Sequence, residues 1–237
     1  MKILKFTSIG FLIGFLLSQC TFSASGGNHD EWDTKTYDIS NFTNLHLEGG
    51  YKVILTQGDA PALKVKSSNS DVFHELDVDD DGDFLKLTIS EDWFQFKPIT
   101  LYITFVDLTE IYIEGGVKLE TRGYLDLNDI FIRIEGGAKI EMDIKADRLR
   151  VEGEGGVLYN LEGVVKEFKA KISGAGHIDA NELKANDVEI KIEGVGTASV
   201  YAVDNLYAKI EGVGKVKYRG HPQVIKNIEG LGVVTHD

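Results

Sequence analysis

The sequence predicts an all-β protein: a single-stranded, right-handed parallel β-helix, or solenoid, with a β-rich N-terminal part. Three observations point there. A short phrase of the form Ile-Glu-Gly recurs at nearly constant spacing, the residues before it alternate between apolar and polar, and a second glycine follows it closely. The phrase reads "YIEGGV" at 112, "RIEGGA" at 133, "KISGAG" at 171, "KIEGVG" at 191 and 209, and "NIEGLG" at 227. Self-similarity with a period near twenty is the mark of a solenoid, in which each unit buries its apolar face only by stacking on the next.

The first twenty residues read as an export signal. Lys2 and Lys5 give a positive start, and Ile9 to Leu17 form an apolar run too short for a permanent membrane helix. Cys20, the only cysteine, closes that run in "LLSQC", where a bacterial lipoprotein signal places the thiol that receives lipid. Ordinary cleavage a few residues later, after Ser25, is the other reading. Residues 21–35, "TFSASGGNHDEWDTK", read as a flexible tether with little apolar content. With one cysteine no disulfide forms within the chain.

Residues 36–237 make up the folded domain. Its front part, 36–108, contains "LHLEGGYKVILTQGD", "ALKVKSS", "DFLKLTIS" and "ITLYITF", which alternate apolar and polar residues between Gly, Asp, Asn and Ser turns. No proline-rich linker divides it from the rest of the domain, and "LHLEGG" at 45–50 already holds the corner phrase. Residues 109–237 are the regular coils. The residue before the first glycine of each copy is Glu114, Glu135, Glu152, Ser173, Glu193, Glu211 and Glu229, at intervals of 17 to 21 residues. Immediately before them stand Ile113, Ile134, Val151, Ile172, Ile192, Ile210 and Ile228, and these β-branched residues are expected to face inward.

Beside the acids runs a column read as Tyr112, Arg133, Arg150, Lys171, Lys191 and Lys209. Parallel strands stack about 4.8 Å apart, so a bare glutamate column would repel itself, and the basic column offsets that. The glycines are expected to turn a corner with positive φ at every coil. A second face follows with Leu119, Ile140, Met142, Val157, Tyr159, Ile178, Ala180, Ala198, Val200, Val216 and Tyr218 inward. A third has Leu125 and Leu127, Ile144 and Ala146, Leu183 and Ala185. Three faces joined by tight corners make one coil.

The order "YKVILTQGD…LKVKSS…LDVDDDGDFLKLTIS…ITLYITFVDLTEIYIEGG", followed by "KISGAGHIDA" and further Ile-Glu-Gly-x-Gly copies, resembles the auto-transporter adhesin, head GIN domain family of exported Bacteroidetes-type proteins. The resemblance covers roughly residues 36–235. It implies a β-helix with a β-rich N-terminal part and an adhesin-like role, and it brings no catalytic residues with it. This chain writes Glu-Gly where many relatives write Ser-Gly.

Few motifs speak for chemistry. Asp77, Asp79 and Asp81 alternate ahead of Gly82 in "DVDDDGD", which matches the first half of a calcium-binding EF-hand loop. The twelfth position is Thr88 instead of glutamate and a strand resumes, so the same residues also read as an acidic hairpin tip. Trp93, Phe94 and Phe96 cluster in "EDWFQFKP"; exposed, they would stack on sugar rings or a protein partner, and buried, they would cap the core. "GAGHID" and "GVGTAS" lack the following helix and lysine-serine pair of a phosphate loop. His29, His46, His74, His177, His221 and His236 show no metal-ligand spacing. No cofactor is implied.

The formal net charge of −13, made more acidic still when Lys2 and Lys5 leave with the signal, argues against nucleic acid and anionic lipid as partners. Membrane contact would come only through a lipid on Cys20. The sequence therefore points to a non-catalytic envelope or cell-surface module, exported to the periplasm or outer membrane, with a surface glycan or envelope protein as partner. The alternative is a carbohydrate-active enzyme on the same scaffold, which would need paired carboxylates in a groove.

Overall fold

A computed structural model describes residues 32–89 and 98–237. Cys20, the signal segment, and Trp93, Phe94 and Phe96 lie outside the described residues. The strands are β1 (Asp33–Tyr37), β2 (Asn44–Gln57), β3 (Ala62–Ser67), β4 (Asp77–Asp81), β5 (Phe84–Thr88), β6 (Ile99–Phe105), β7 (Glu110–Thr121), β8 (Leu125–Asp126), β9 (Asp129–Ile172), β10 (Ala175–Ile192), β11 (Val195–Ile210), β12 (Val213–Arg219), β13 (Gln223–Ile228) and β14 (Leu231–His236), with one short helix α1 (Val72–Glu75).

The hydrogen-bonded path runs β1-β3-β6-β2-β7-β9-β10-β11-β12-β14. From β2 onward every step is parallel, which is the winding of a β-helix of about six turns. The N-terminal strands differ. β1 and β3 pair antiparallel, as do β3 and β6 and the hairpin β4–β5. Strand β2 joins the two regions, because its corner Glu48-Gly49-Gly50 lies in register with Glu114-Gly115-Gly116 of β7. The 21–35 stretch expected as a tether is already strand from Asp33, where β1 pairs with β3 and Lys66 lies over the Trp32 ring.

The inward columns form as the alternation dictates except at Ile228, which is exposed in β13, the last strand stacked on β11, where no further coil covers it among the described residues. Ile111 pairs with Ile132 and Ile113 with Ile134, and further along Ile172, Ile192 and Ile210 stack in one line, all fully buried. The second and third faces are buried too, apart from Tyr218, which is half-buried. Removing a branched side chain from such a stack leaves a cavity between two coils.

One register differs from the sequence reading. The column before the corner contains Glu154, not Glu152. A Cβ on Gly155 would lie 2.2 Å from the Gly136 carbonyl oxygen, one on Gly174 would lie 2.5 Å from that of Gly155, and Ala175 pairs with Gly156. "VEGEGG" offers two Glu-Gly steps, and the second makes the corner. Val151 therefore belongs with Ile132 and Gly153 takes the inward place held by isoleucine elsewhere. Glu152 falls in the column expected to be basic. Arg150 moves to the next outward column, where its guanidinium covers the Phe131 ring.

The corner expectation also needs correction. Positive φ occurs at Gly49, Gly115, Gly136 and Gly155, but not at Gly174, Gly194, Gly212 or Gly230. Those four are required by the stacking itself. A Cβ at Gly194 would lie 2.1 Å from the Gly174 carbonyl oxygen, at Gly212 2.0 Å from that of Gly194, and at Gly230 2.1 Å from that of Gly212.

Candidate functional site

Two outward columns dominate the surface of the first face. The acidic one runs Glu48, Glu114, Glu135, Glu154, then Ser173, Glu193, Glu211 and Glu229. The other holds His46, Tyr112, Arg133, Glu152, Lys171, Lys191, Lys209 and Asn227. At three places the two columns neutralise each other. Arg133 Nη2 lies 2.9 Å from Glu135, Lys171 Nζ 2.8 Å from Glu193, and Lys209 Nζ 2.6 Å from Glu211. Ser173, which interrupts the glutamates, donates its hydroxyl to Glu193 Oε2 at 3.2 Å. Exposed ion pairs contribute little to stability, so the columns shape the surface more than they hold the fold.

A shallow groove of about 470 Å³ opens on this face. Its charged walls come from Arg150 and Glu152, Lys169 and Lys171, Glu189 and Lys191, with Glu193 and Lys209 at one end. Lys169 pairs with Glu167 and Lys191 with Glu189, both at 2.7 Å. The Lys171 ammonium hydrogen-bonds Glu193 and holds its carboxyl below the ordinary value. On the second face Lys118 and Lys52 hydrogen-bond Glu120 and draw its carboxyl down to about 2. Rows of ion pairs at fixed strand spacing can meet a polar, hydrogen-bonding partner surface. They do not supply a protonated carboxylic acid for general acid catalysis.

Asp77, Asp79 and Asp81 stand on strand β4, exposed, opposite Thr88, Lys86 and Phe84 of β5. They lie along one extended strand, where alternate residues are about 6–7 Å apart, and Gly82 with φ 64° turns the hairpin. His46 has a more telling place. Its imidazole packs edge-on against the Tyr112 ring at 4.5 Å between centroids, and one ligand atom each of His46, Glu48 and Glu114 lie within 4.8 Å of one another. Sequence spacing missed this cluster because β7 stacks on β2 only after the β3–β6 segment has been inserted between them. Aligning "LHLEGG" with "YIEGGV" would have found it.

The described residues form a parallel β-solenoid with long rows of paired charges, and no helix among them is long and apolar enough to cross a membrane. The chain belongs to the family described as "Putative auto-transporter adhesin, head GIN domain", whose model matches residues 41–222. No curated protein matches it. Among solved structures it is similar to a "putative adhesin" from Bacteroides fragilis, with 24% identity, a TM-score of 0.78, and coverage of 87% of this chain and 97% of that one. A "putative lipid binding protein" from Parabacteroides distasonis is similar at 22% identity and TM-score 0.69, covering 89% and 98%. A "putative adhesin" from Parabacteroides merdae is similar at 21% identity and TM-score 0.63, covering 89% and 98%. These likenesses show the fold.

Proposed function

We propose that the chain is a non-catalytic, exported binding module of the cell envelope, adhesin-like in role, which meets a glycan or envelope protein through the ladder face of its first sheet. One observation bears most of the weight: most charges of that face are paired with one another, along a strand or between neighbouring strands. Among the described residues, the carboxyls displaced from their ordinary values, Glu48, Glu120, Asp129, Glu193 and Asp237, are all held low by hydrogen bonds from lysine or arginine. A glycosidase needs one carboxyl pushed the other way. Membership in an adhesin-named family supports the same reading.

Export and a lipid on Cys20 belong to this proposal. Acyl chains there would tether the acidic domain to the membrane. The binding role is tested by a glycan array and a pull-down from envelope extracts with the mature protein. The reading expects saturable binding that weakens when Lys171 and Lys191 are both changed to glutamate. Turnover of an arrayed glycan, or binding indifferent to that double change, would overturn it. Mass and detergent partition of wild type and Cys20→Ser in the native host test the anchor; a lipid-sized mass increment lost in the variant is expected, and wild-type protein wholly in the aqueous phase would sink it.

A further inference from the structure

The paired columns have one gap. Glu48 is held by Lys86 at 2.8 Å, Glu135 by Arg133, and Arg133 reaches on to Glu154 at 3.8 Å. Glu229 accepts from Asn227 at 2.9 Å. Glu114 alone among the glutamates of this column has neither an ion pair nor a hydrogen bond among the described residues, although Glu48 and Glu135 flank it at strand spacing. The positions that would hold its cation are occupied by His46 and Tyr112.

Around the gap the free donors converge. Lys86 and Thr88 both engage Glu48 through Oε2, which leaves Oε1 open. His46 Nε2 is shielded from water and has no hydrogen-bond partner, an arrangement that costs free energy unless something takes the lone pair or the proton. Burial, followed by the nearby Lys86 ammonium, lowers the His46 pKa. All three side chains project from the same outer face of two paired strands, so rotation about side-chain bonds is enough to bring them together.

We propose that His46, Glu48 and Glu114 bind one divalent transition-metal ion of the zinc type. One imidazole nitrogen and two carboxylate oxygens suit such an ion at bond lengths of about 2.0–2.2 Å. An imidazole is a poor donor for calcium, which takes six to eight oxygens. Two added positive charges cancel the repulsion between Glu48 and Glu114 and complete the charge pattern of the column. The three protein donors leave at least one coordination position for water or for a donor group of a surface-bound partner.

The test is titration of the metal-free mature protein with Co²⁺, followed by displacement with Zn²⁺. The site predicts saturation at one equivalent, intensified visible bands of a four- or five-coordinate cobalt centre, and their loss on adding zinc. Glu114→Gln, an isosteric change at an exposed position, is expected to weaken binding at least about tenfold while leaving the metal-free melting temperature unchanged. His46→Asn is expected to abolish the cobalt bands. Absence of saturable binding, or binding that survives both substitutions unchanged, would overturn the proposal.

Discussion

The early coils, formed by β7 and the first part of β9, and the late coils, formed by β10 to β12, bring their stacked corner glycines equally close but turn the corner with different backbones. In the early ones the corner is Gly-Gly, the first glycine has positive φ, and Val117 or Ala138 faces inward just beyond it. In the late ones the corner is Gly-x-Gly and φ is ordinary. The second glycine, Gly196 or Gly214, lies against isoleucine side chains from its own coil and the one before. The coil at Gly153 shows the exchange between the two solutions. There glycine takes the isoleucine position, and a Cβ on it would lie 2.8 Å from the Val157 methyls. Val157 fills what isoleucine fills elsewhere. The solenoid thus keeps core volume per coil while letting the residues that supply it trade places across the corner.

The comparison can be broken most severely at Gly194. Its φ is permissive, so a purely conformational account expects alanine to be tolerated there. The close approach to the Gly174 carbonyl predicts instead a loss of about 4–5 kcal/mol by denaturant unfolding, because two stacked main chains must part. Next comes Ile192→Ala, which empties a fully buried place between Ile172 and Ile210 and should cost about 2–5 kcal/mol. The exchange across the corner is sharpened by Gly153→Ala, expected to cost about 1–3 kcal/mol through overpacking against Val157, and largely restored in the double variant with Val157→Ala. A double variant no better than the sum of its parts would remove the volume-trading explanation. The smallest effect is at Lys191→Ala, on the outward side of the same strand, where a change within about 0.5 kcal/mol is expected.

Much of this was legible in the sequence because period-2 alternation and a period near twenty reinforce each other. Ile113, Ile134, Ile172, Ile192 and Ile210 face inward as the pattern requires, and the third face at Leu125, Ile144 and Leu183 was readable from shorter apolar pairs. The repeat failed where it was written twice: "VEGEGG" has two steps of equal merit, and only main-chain contact between Gly136, Gly155 and Gly174 chooses between them. The glycine corners were legible as corners but not by cause, since close approach of two backbones leaves the same letter in the sequence as positive φ. The His46, Glu48 and Glu114 cluster was hidden by the inserted β3–β6 strands, which separate its members in the chain while β2 and β7 remain paired.

The glutamate column underlies both the ladder face and the cluster at its N-terminal end, and its register is the claim on which the rest stands. Paired cysteines test it directly in a Cys20→Ser background. Neighbours on adjacent strands have Cα atoms about 5 Å apart and can form a disulfide, whereas a pair displaced by two residues is about 7–8 Å apart and cannot without moving the backbone. Glu135→Cys combined with Glu154→Cys is predicted to oxidise to an intramolecular disulfide that mass spectrometry locates at those positions. Ready oxidation of Glu135→Cys with Glu152→Cys, and not with Glu154→Cys, would contradict the register and with it the column.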